Sequence, residues 1–430
     1  MSRNFHPVYS SPQDGQDITL MRILEAVAST QNTPNPLAES TFNSKGRLRI
    51  AQYATEFTNT FQYGKETDVW DETTANGGAA THNANLSAID MAVTTTLNSE
   101  VVRQTRNVMT YIAGRPSIIS FGIRLQAPVA GIRRRFGLYN GTDGAYFEDD
   151  GSGDYFCCIA NSGGTPALQR VGRASWNGDK LDGTGPSGIV ASPNAQQLIS
   201  IDYEWYGAGA VKFQFIINGE NITIHTFYSA NILNNPWCKT PFLPIRCEIK
   251  NTTGGQAAGT FHLYQGSNSL IHDGTAEKAG MPVSITNAIT GTSMGSANVF
   301  TPILSIRLKS DSLSGVAIPH SYQIGTIDNV DVFYRIIKNA TLTGASWQNH
   351  PNANALTQYD TSSTAYSGGD EYDAGFIPRL SAGSQRFDDL ANYQIGRSGM
   401  GTISDTLTIA MASATGNKKA VAAFSWLEQR

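Results

Sequence analysis

Two acidic residues on one predicted strand are the first candidates for chemistry. Asp202 and Glu204 alternate with Ile201 and Tyr203, so both carboxylates lie on the same face of the strand. A retaining glycosidase needs two carboxyl groups about 5 Å apart, one of them as the nucleophile. The other interpretation is an amphipathic strand with a solvated polar face and a buried apolar face. We expect the solvated face and predict no catalytic residue.

Aspartates in a glycine-rich segment are candidates for binding a metal ion. Asp179 and Asp182 lie in WNGDKLDGTG, and their carboxylates could supply oxygen ligands to calcium, which is a hard cation. The spacing is not that of an EF-hand, and aspartates in such turns commonly accept hydrogen bonds from nearby amides instead. Asp179 and Asp182 are therefore weak calcium candidates, and we predict no cofactor.

Other catalytic and metal-binding patterns are absent from the sequence. The seven histidines form neither an HxH nor an HExxH pattern. No GxSxG elbow lies between a predicted strand and a helix, and no GxxxxGK[ST] phosphate loop is present. The sequence therefore favours a binding or structural role over catalysis.

Three adjacent arginines begin another predicted strand. Arg133, Arg134 and Arg135 repel one another unless other groups neutralise them, and strand alternation places Arg134 on the face opposite its neighbours. They either pair with an acidic surface of a partner subunit or form a solvated strand end, and the sequence leaves both interpretations open. We include all three among the candidate interface residues.

Aromatic residues in polar segments are further interface candidates. Trp176 and Trp237 lie in predicted loops, and for Trp176 we favour a buried plug. Residues 343–375 are rich in Ser, Thr, Asn and Gly and predict a long loop, of the kind that is usually functional or held by a neighbour. Aromatic side chains give a large contact area at low entropy cost. The interface candidates in this segment are Trp347, Tyr359, Tyr366 and Tyr372.

The composition excludes two classes of partner. Of 430 residues, 40% are hydrophobic and 15% charged, which is too apolar for a disordered chain. A formal net charge of −4 offers no basic field for nucleic acid. No apolar run approaches the roughly 20 residues that cross a bilayer, and the start MSRNFHPVYSSPQDG lacks the apolar stretch of a signal peptide. We expect a soluble, loop-rich β protein that is not exported by the usual route and has no nucleic-acid or membrane partner.

The four cysteines do not have the spacing of a zinc site. Cys157 and Cys158 are adjacent, so a strand points them to opposite faces, while Cys238 and Cys247 stand apart. We predict four buried free thiols, with a disulfide to Cys238 as the alternative.

One helix is predicted, from Asp17 to Thr30, within an N-terminal arm and helix that span residues 1–46. It is too short to be stable alone, so it packs on its own subunit or, as we expect, against another chain. The residues of its apolar side are Leu20, Met21, Leu24 and Val27.

Strand patterns occupy the rest of the chain. Asn218-Gly219 between two alternating runs is the strongest short-range hairpin signal, and residues 140–144 form a second hairpin turn. Closely spaced strands without intervening helices predict an antiparallel β-sandwich over residues 47–265. A linker over residues 266–289 and a smaller C-terminal β domain over residues 290–430 follow. The predicted fold class is all-β.

A known family resembles the middle of the chain. The segments RPSIISFGIRL, RRRFGLYNGTDGAYFE, SWNGDKLDGTGPSG, ISIDYEWYGAGAVKFQFIINGE and ITIHTF, in this order, resemble virion structural proteins of tailed bacteriophages, especially marine phages and cyanophages. The resemblance covers roughly residues 103–248 and implies a concanavalin- or laminin-G-like jelly-roll sandwich. Glycosidases of that architecture carry three acidic residues at alternate positions of one strand, and Ser200 stands at the first of them here.

The resemblance implies assembly into a virus particle and no defined chemistry. We expect a noncatalytic virion protein, made in the host cytoplasm, that forms a homo-oligomer, most simply a trimer, and contacts other virion proteins. A tail, baseplate or fibre component is the first interpretation. A head decoration protein held to the major capsid protein by its N-terminal arm is the second. A module that binds or cleaves cell-surface glycans is the third.

Overall fold

The computed structural model describes residues 53–164, 168–256, 258–274, 280–287, 289–379, 382–386, 394–397 and 403–429. The predicted helix over residues 17–30, with Leu20, Met21, Leu24 and Val27, lies outside the described residues. No helix in the described part of the chain is long and apolar enough to cross a membrane.

Fifteen strands build the first β region, joined by turns and one 3-10 turn at Arg173–Ser175. In chain order they are β1 (Tyr53–Asn59), β2 (Trp70–Ala75), β3 (Ala79–Asn83), β4 (Ala88–Val93), β5 (Glu100–Thr105), β6 (Ser117–Arg124), β7 (Ile132–Tyr139), β8 (Gly144–Asp149), β9 (Tyr155–Ala160), β10 (Leu168–Gly172), β11 (Gln197–Tyr203), β12 (Val211–Ile217), β13 (Glu220–Phe227), β14 (Ile245–Asn251) and β15 (Phe261–Asp273).

These strands form two antiparallel sheets. The eight-stranded sheet has the order β13-β12-β11-β6-β15-β4-β3, with β1 also paired to β15, and the seven-stranded sheet has the order β10-β9-β8-β7-β14-β5-β2. Alternate residues of each strand enter a shared core, as in β6, where every second side chain is buried. The predicted fold class, an antiparallel jelly-roll sandwich in an all-β chain, is confirmed.

Local turn chemistry fixes the pairing of neighbouring strands. Asn218 and Gly219 have φ of 55° and 81°, as a type I′ turn requires, and they join β12 to β13 so that Ile217 pairs with Glu220. Gly144 has φ of 129° at the end of the second predicted hairpin. Both hairpins are confirmed.

A second β region follows, with its own core of buried residues that include Ile303, Ile336, Phe424 and Trp426. Its strands are β16 (Met281–Thr286), β17 (Thr292–Ser293), β18 (Thr301–Leu308), β19 (Val316–Thr326), β20 (Val332–Lys338), β21 (Thr341–Thr343), β22 (Gln348–Asn349), β23 (Thr357–Asp360), β24 (Ala365–Ser367), β25 (Asp370–Ile377), β26 (Ala382–Arg386), β27 (Thr406–Ser413) and β28 (Lys419–Gln429).

Three sheets organise this second region. A five-stranded sheet runs β16-β28-β19-β26 with β17 on β28, a six-stranded sheet runs β22-β23-β18-β27-β20-β25, and β21 pairs with β24. The prediction of one long loop over residues 343–375 is wrong, because β22 to β25 lie there. Three strands of two to four residues, together with β25, whose side chains are mostly exposed or half-buried, give the same composition as a loop, so periodicity did not reveal them.

The two β regions contact each other through apolar and polar side chains, and Phe242 and Val108 of the first region pack in the second core. The Gln394 side chain accepts a hydrogen bond from Val108 N at 3.0 Å and donates one to Val108 O at 3.1 Å. Lys338 Nζ donates to Asn107 Oδ1 at 3.3 Å. The last strand of the sandwich also continues past the predicted boundary at residue 265, to Asp273.

All four cysteines are buried free thiols, as predicted. Cys157 enters the sandwich core, while Cys158 faces the other side of β9 against Tyr139 and Tyr146. Burial raises the pKa of every thiol, that of Cys238 and that of Cys247 each to about 12.

The first prediction concerns these thiols. Because the thiolate is the reactive form and each sulfur is buried, the folded protein should not react with DTNB at pH 8 within minutes. In denaturant, all four cysteines should titrate. Rapid reaction of Cys157, Cys158 or Cys247 in the folded protein would contradict the packing of β9 and β14, and rapid reaction of Cys238 would contradict the burial of the segment between β13 and β14.

Candidate functional site

The densest group of charged side chains lies on the face of the seven-stranded sheet that points away from the core. We call it the arginine face. On β7, Ile132, Arg134 and Phe136 point inward, so Arg133 and Arg135 point outward. The members of the arginine face are Arg133, Arg135, Arg170, Arg246, Glu148 and Glu248.

Strand register positions the two glutamates beside the arginines. Arg135 pairs across the sheet with Glu148 of β8 on one side and with Glu248 of β14 on the other. The side chains of Glu148 and Glu248 are 3% and 5% exposed. The two carboxylates therefore flank one guanidinium in a single row across three strands.

Every carboxylate in this row is held by two arginines. Glu148 accepts from Arg135 Nε at 2.5 Å and from Arg170 Nε at 2.6 Å. Glu248 accepts from Arg133 Nη2 at 2.6 Å and from Arg246 Nη2 at 3.0 Å. Charge-assisted bonds of this length are the strong ones, so the network fixes the relative position of β7, β8, β10 and β14.

The electrostatics of Glu248 favour its ionised form. Burial raises the pKa of this carboxyl, but the guanidiniums of Arg133, Arg246 and Arg135 lower it more, so its pKa is lowered overall. A general acid needs the opposite shift. Glu248 is therefore suited to holding arginines and unsuited to donating a proton.

Aromatic rings lie beneath two of the guanidiniums. Arg135 Cζ lies 5.0 Å from the centroid of Tyr146, and Arg246 Cζ lies 5.4 Å from that of Tyr139. The two tyrosine rings are 4.8 Å apart. Stacking on ring faces adds cation–π attraction to the ion pairs.

Arg134 has a different environment, inside the sandwich. Its Nη1 donates to Asp149 Oδ2 at 2.5 Å, and both side chains are almost fully buried. Alternation was predicted to separate Arg134 from Arg133 and Arg135, and this is confirmed. All three arginines have carboxylate partners within the chain, so the solvated strand end proposed for them is wrong. Whether they also contact a partner subunit stays a prediction.

Asp202 and Glu204, the acidic pair singled out first, lie on the eight-stranded sheet. Asp202 Oδ2 is 3.4 Å from Lys212 Nζ on the neighbouring strand, while Glu204 follows the end of β11. Ser200 is buried, with its hydroxyl 3.5 Å from Gln214 Oε1. Ile199 and Ile201 face the core, as the predicted amphipathic strand requires. The solvated face is not formed as predicted, because Ser200 is buried, Asp202 is half-buried and Glu204 lies beyond the strand.

The calcium candidates accept hydrogen bonds from neighbouring amides. Asp179 Oδ1 accepts from Leu181 N at 2.8 Å and Asp179 Oδ2 from Ser187 N at 2.6 Å. Asp182 Oδ1 accepts from Thr184 N and Thr184 Oγ1, at 2.9 and 2.6 Å. Among the residues that the structure describes, no three His, Cys, Asp or Glu side chains form a group that could hold a metal ion.

The aromatic interface candidates divide between core and surface. Trp176 is buried, as predicted, and its Nε1 donates to Val171 O at 3.1 Å. Trp237 is also buried. Tyr359, Tyr366 and Tyr372 lie in β23, β24 and β25 and are half-buried, so the prediction that they occupy a polar loop is wrong.

Trp347 differs from those tyrosines because it lies outside the strands, just before β22. It is half-buried, and its ring lies 4.2 Å from Cζ of Arg307. Its role and those of Tyr359, Tyr366 and Tyr372 at a subunit interface stay predictions.

Two exposed phenylalanines were missed by the sequence reasoning. Phe333 of β20 pairs with Phe376 of β25, with ring centroids 6.2 Å apart, and they are 47% and 64% exposed. Val332 and Tyr334 enter the core, so this aromatic pair lies on the opposite face of the six-stranded sheet. Alternation of β20 predicts that face, but β25 was not recognised as its partner strand.

A serine, a histidine and a glutamate form a hydrogen-bonded chain in the sandwich. Ser117 Oγ is 2.7 Å from His272 Nδ1, and His272 Nε2 bonds to Glu56. A nucleophile must be reachable by its substrate, but Ser117 is fully buried. This series of hydrogen bonds therefore links β1, β6 and β15 and does not form a hydrolytic site.

A second hydrogen-bonded series of side chains, formed by Asp90, His262 and Thr260, is partly exposed. Asp90 Oδ1 is 2.7 Å from His262 Nδ1, and His262 Nε2 is 2.9 Å from Thr260 Oγ1. The two best-defined cavities, of about 20 and 10 Å³, hold at most a water molecule each, and neither is lined by these residues.

Comparison with known proteins gives partial structural likenesses. No protein-family model and no curated protein matches the chain. Solved structures that resemble part of it include the Emp47p carbohydrate recognition domain, at 9% identity over 52% of this chain and 98% of that one, with a TM-score of 0.34.

Two further structures are similar to about half of this chain. A Bacteroides ovatus family 16 glycoside hydrolase shares 11% identity over 50% of this chain and 99% of its own, with a TM-score of 0.33. The Mycobacterium tuberculosis pseudo β-1,3-glucanase Rv0315 shares 12% identity over 51% and 98%, with a TM-score of 0.34. Similarity this low carries no argument about function.

The second prediction concerns acid stability. Because the pKa of Glu248 is lowered on folding, its ionisation stabilises the protein above the ordinary pKa of 4.5, and that stability is lost as pH falls through the folded-state value. Glu248→Gln should lower the free energy of unfolding at pH 7 by about 3 kcal/mol and reduce its loss on acidification from pH 5 downward. Urea unfolding at several pH values measures both.

The control is Glu220→Gln, which removes an exposed carboxylate at a hairpin turn. It should change the free energy of unfolding little at any pH. Equal effects of the two variants would show that the arginine face does not stabilise the sandwich.

Proposed function

We propose that this chain is a noncatalytic structural component of a bacteriophage virion that assembles as a homo-oligomer. The order and content of its central segments, RPSIISFGIRL to ITIHTF, resemble such proteins. The exposed aromatic pair on the six-stranded sheet is the structural observation that carries the assembly part of the proposal. A tail, baseplate or fibre position is the first choice.

The described carboxylates support a noncatalytic role. Glu148 and Glu248 each bond to two arginines, and Asp202 lies beside a lysine. Acid–base catalysis of glycoside cleavage requires one carboxyl group that is protonated and one that is free to attack. Neither glutamate on the arginine face is free in that sense, and Ser200 is no nucleophile for a carboxylate mechanism.

The aromatic pair supports association with another protein surface. Phe333 and Phe376 are neighbours on one sheet face, and exposed Val299 precedes Phe300, on whose ring Arg335 stacks at 4.3 Å. Interfaces are enriched in aromatic residues and in arginine and poor in other charged residues. A face of this composition fits a second protein surface better than it fits water.

A homo-oligomer is favoured because two copies of the same chain can present the same apolar surface to each other. A trimer agrees with the threefold and sixfold symmetry of tail structures. A head decoration protein remains the alternative, and it differs in requiring hundreds of copies in each particle.

The third prediction tests assembly. The purified wild-type chain should elute with a light-scattering mass three times that of one chain. Replacing both phenylalanines, Phe333→Ser and Phe376→Ser, should shift the mass to that of the single chain at micromolar concentration. The double variant should keep its circular dichroism spectrum, because both rings are exposed.

The control is Tyr63→Ser, which removes a side chain that is 90% exposed on the first β region. It should leave the mass unchanged. A wild-type monomer, or an oligomer that survives loss of both phenylalanines, would contradict the proposed interface.

A further inference from the structure

A chain of planar polar side chains lies at one edge of the six-stranded sheet. Arg307 of β18 pairs with Gln358 of β23, and Gln358 pairs with Asn349 of β22, so the three side chains share one face. Arg307 Nε and Nη2 both donate to Gln358 Oε1, at 3.1 and 3.0 Å, and Gln358 Nε2 donates to Asn349 Oδ1 at 3.0 Å. The bonds run in one direction and leave the Asn349 amide group at the exposed end.

The ring of Trp347 stacks on Arg307, which is the first member of this series of hydrogen-bonded side chains. The ring lies 4.2 Å from the guanidinium carbon of Arg307, a distance typical of a stacked cation–π contact. The ring is half-buried, and Asn349 close by in the chain is exposed. An aromatic ring and an amide group therefore lie close together at an open strand edge.

Within the part of the chain that the structure describes, no carboxylate is bonded to the guanidinium of Arg307. Its hydrogen bonds go to Gln358, and its Nη1 takes part in neither of them. The nearby Asp360 carboxylate is instead held by the Ser346 amide at 2.8 Å and by the hydroxyls of Ser362 and Ser363, both at 2.5 Å.

This arrangement contrasts with the arginine face. There, each of the four arginines lies within bonding distance of Glu148 or Glu248. Burial lowers the pKa of Arg307, and the charge of Asp360 offsets this only in part. A half-buried cation without a bonded anion favours a ligand that brings its own negative charge.

We infer that Arg307, Trp347, Gln358 and Asn349 form a binding site for a carboxylate-bearing sugar. The Nη1 edge of Arg307 pairs with the carboxylate, because a guanidinium fork matches a carboxylate in geometry. The Trp347 ring contacts the apolar face of the sugar ring. The Asn349 amide bonds to a hydroxyl.

A sugar fits this site better than an acidic peptide. The polar groups lie side by side along an open strand edge, which suits a flat ring with hydroxyls around its rim. The inference does not depend on the virion assignment, since it concerns a different edge of the sheet from the aromatic pair.

The test uses the full-length chain and two pairs of probes that differ in charge. Trigalacturonic acid is compared with its methyl ester, and 3′-sialyllactose with lactose, by isothermal titration calorimetry. We expect one acidic probe to bind with a Kd of about 1 mM or tighter and its neutral counterpart at least about tenfold more weakly. Affinity for the acidic probe should fall with added salt.

Two variants locate the site. Arg307→Gln and Trp347→Ala should each raise the Kd at least about tenfold, which equals about 1.4 kcal/mol. The matched control is Arg335→Gln, because Arg335 also stacks on an aromatic ring but is paired with Glu371 at 3.2 Å. If Trp347→Ala fails to fold, Trp347→Phe should still weaken binding measurably.

Several results would overturn the inference. They are equal binding of acidic and neutral probes, no binding of either acidic probe, equal loss in Arg335→Gln, or equally tight binding of a hexapeptide of Asp and Glu. Failure here would leave the oligomer mass and its dependence on Phe333 and Phe376 unaffected, so the two proposals are tested separately.

Discussion

Neutralisation of adjacent arginines by strand register is the interaction on which the sandwich depends. Arg133, Arg134 and Arg135 follow one another on β7, and their mutual repulsion must be offset for the strand to enter a sheet. The register of β7 with β8 and β14 places Glu148, Asp149 and Glu248 beside them. A shift by one residue would move Arg134 out of the core and break every one of these pairs.

This internal pairing changes the meaning of the low charge content. A chain with 15% charged residues has few ions for its surface, and the arginine face uses several of them within one sheet. What remains unpaired then becomes informative. Phe333 and Phe376 form an exposed apolar patch, and Arg307 is a cation without a bonded carboxylate among the described residues. The two features favour different partners.

The sequence predicted those parts of the fold that local patterns specify. Asn218-Gly219 determined one hairpin, and alternation separated Arg134 from its neighbours, because both depend on residues close in the chain. Glu148 could have been paired with Arg135 by counting back from the second hairpin turn.

Long-range pairings were beyond local patterns. Glu248 lies far along the chain, and Phe376 lies in a segment whose composition resembles a loop, so neither partner was identified. The site at Arg307 likewise depends on β22 and β23, which periodicity did not detect.

The proposal that the chain is a virion protein is tested most directly by quantitative mass spectrometry of gradient-purified virions from a phage whose genome encodes it. The account predicts that the chain is present in each particle in a small multiple of three, as a symmetric tail structure requires. Hundreds of copies in each particle would instead indicate a head decoration protein. Its absence from particles that are otherwise complete and infectious would contradict a structural role in the virion.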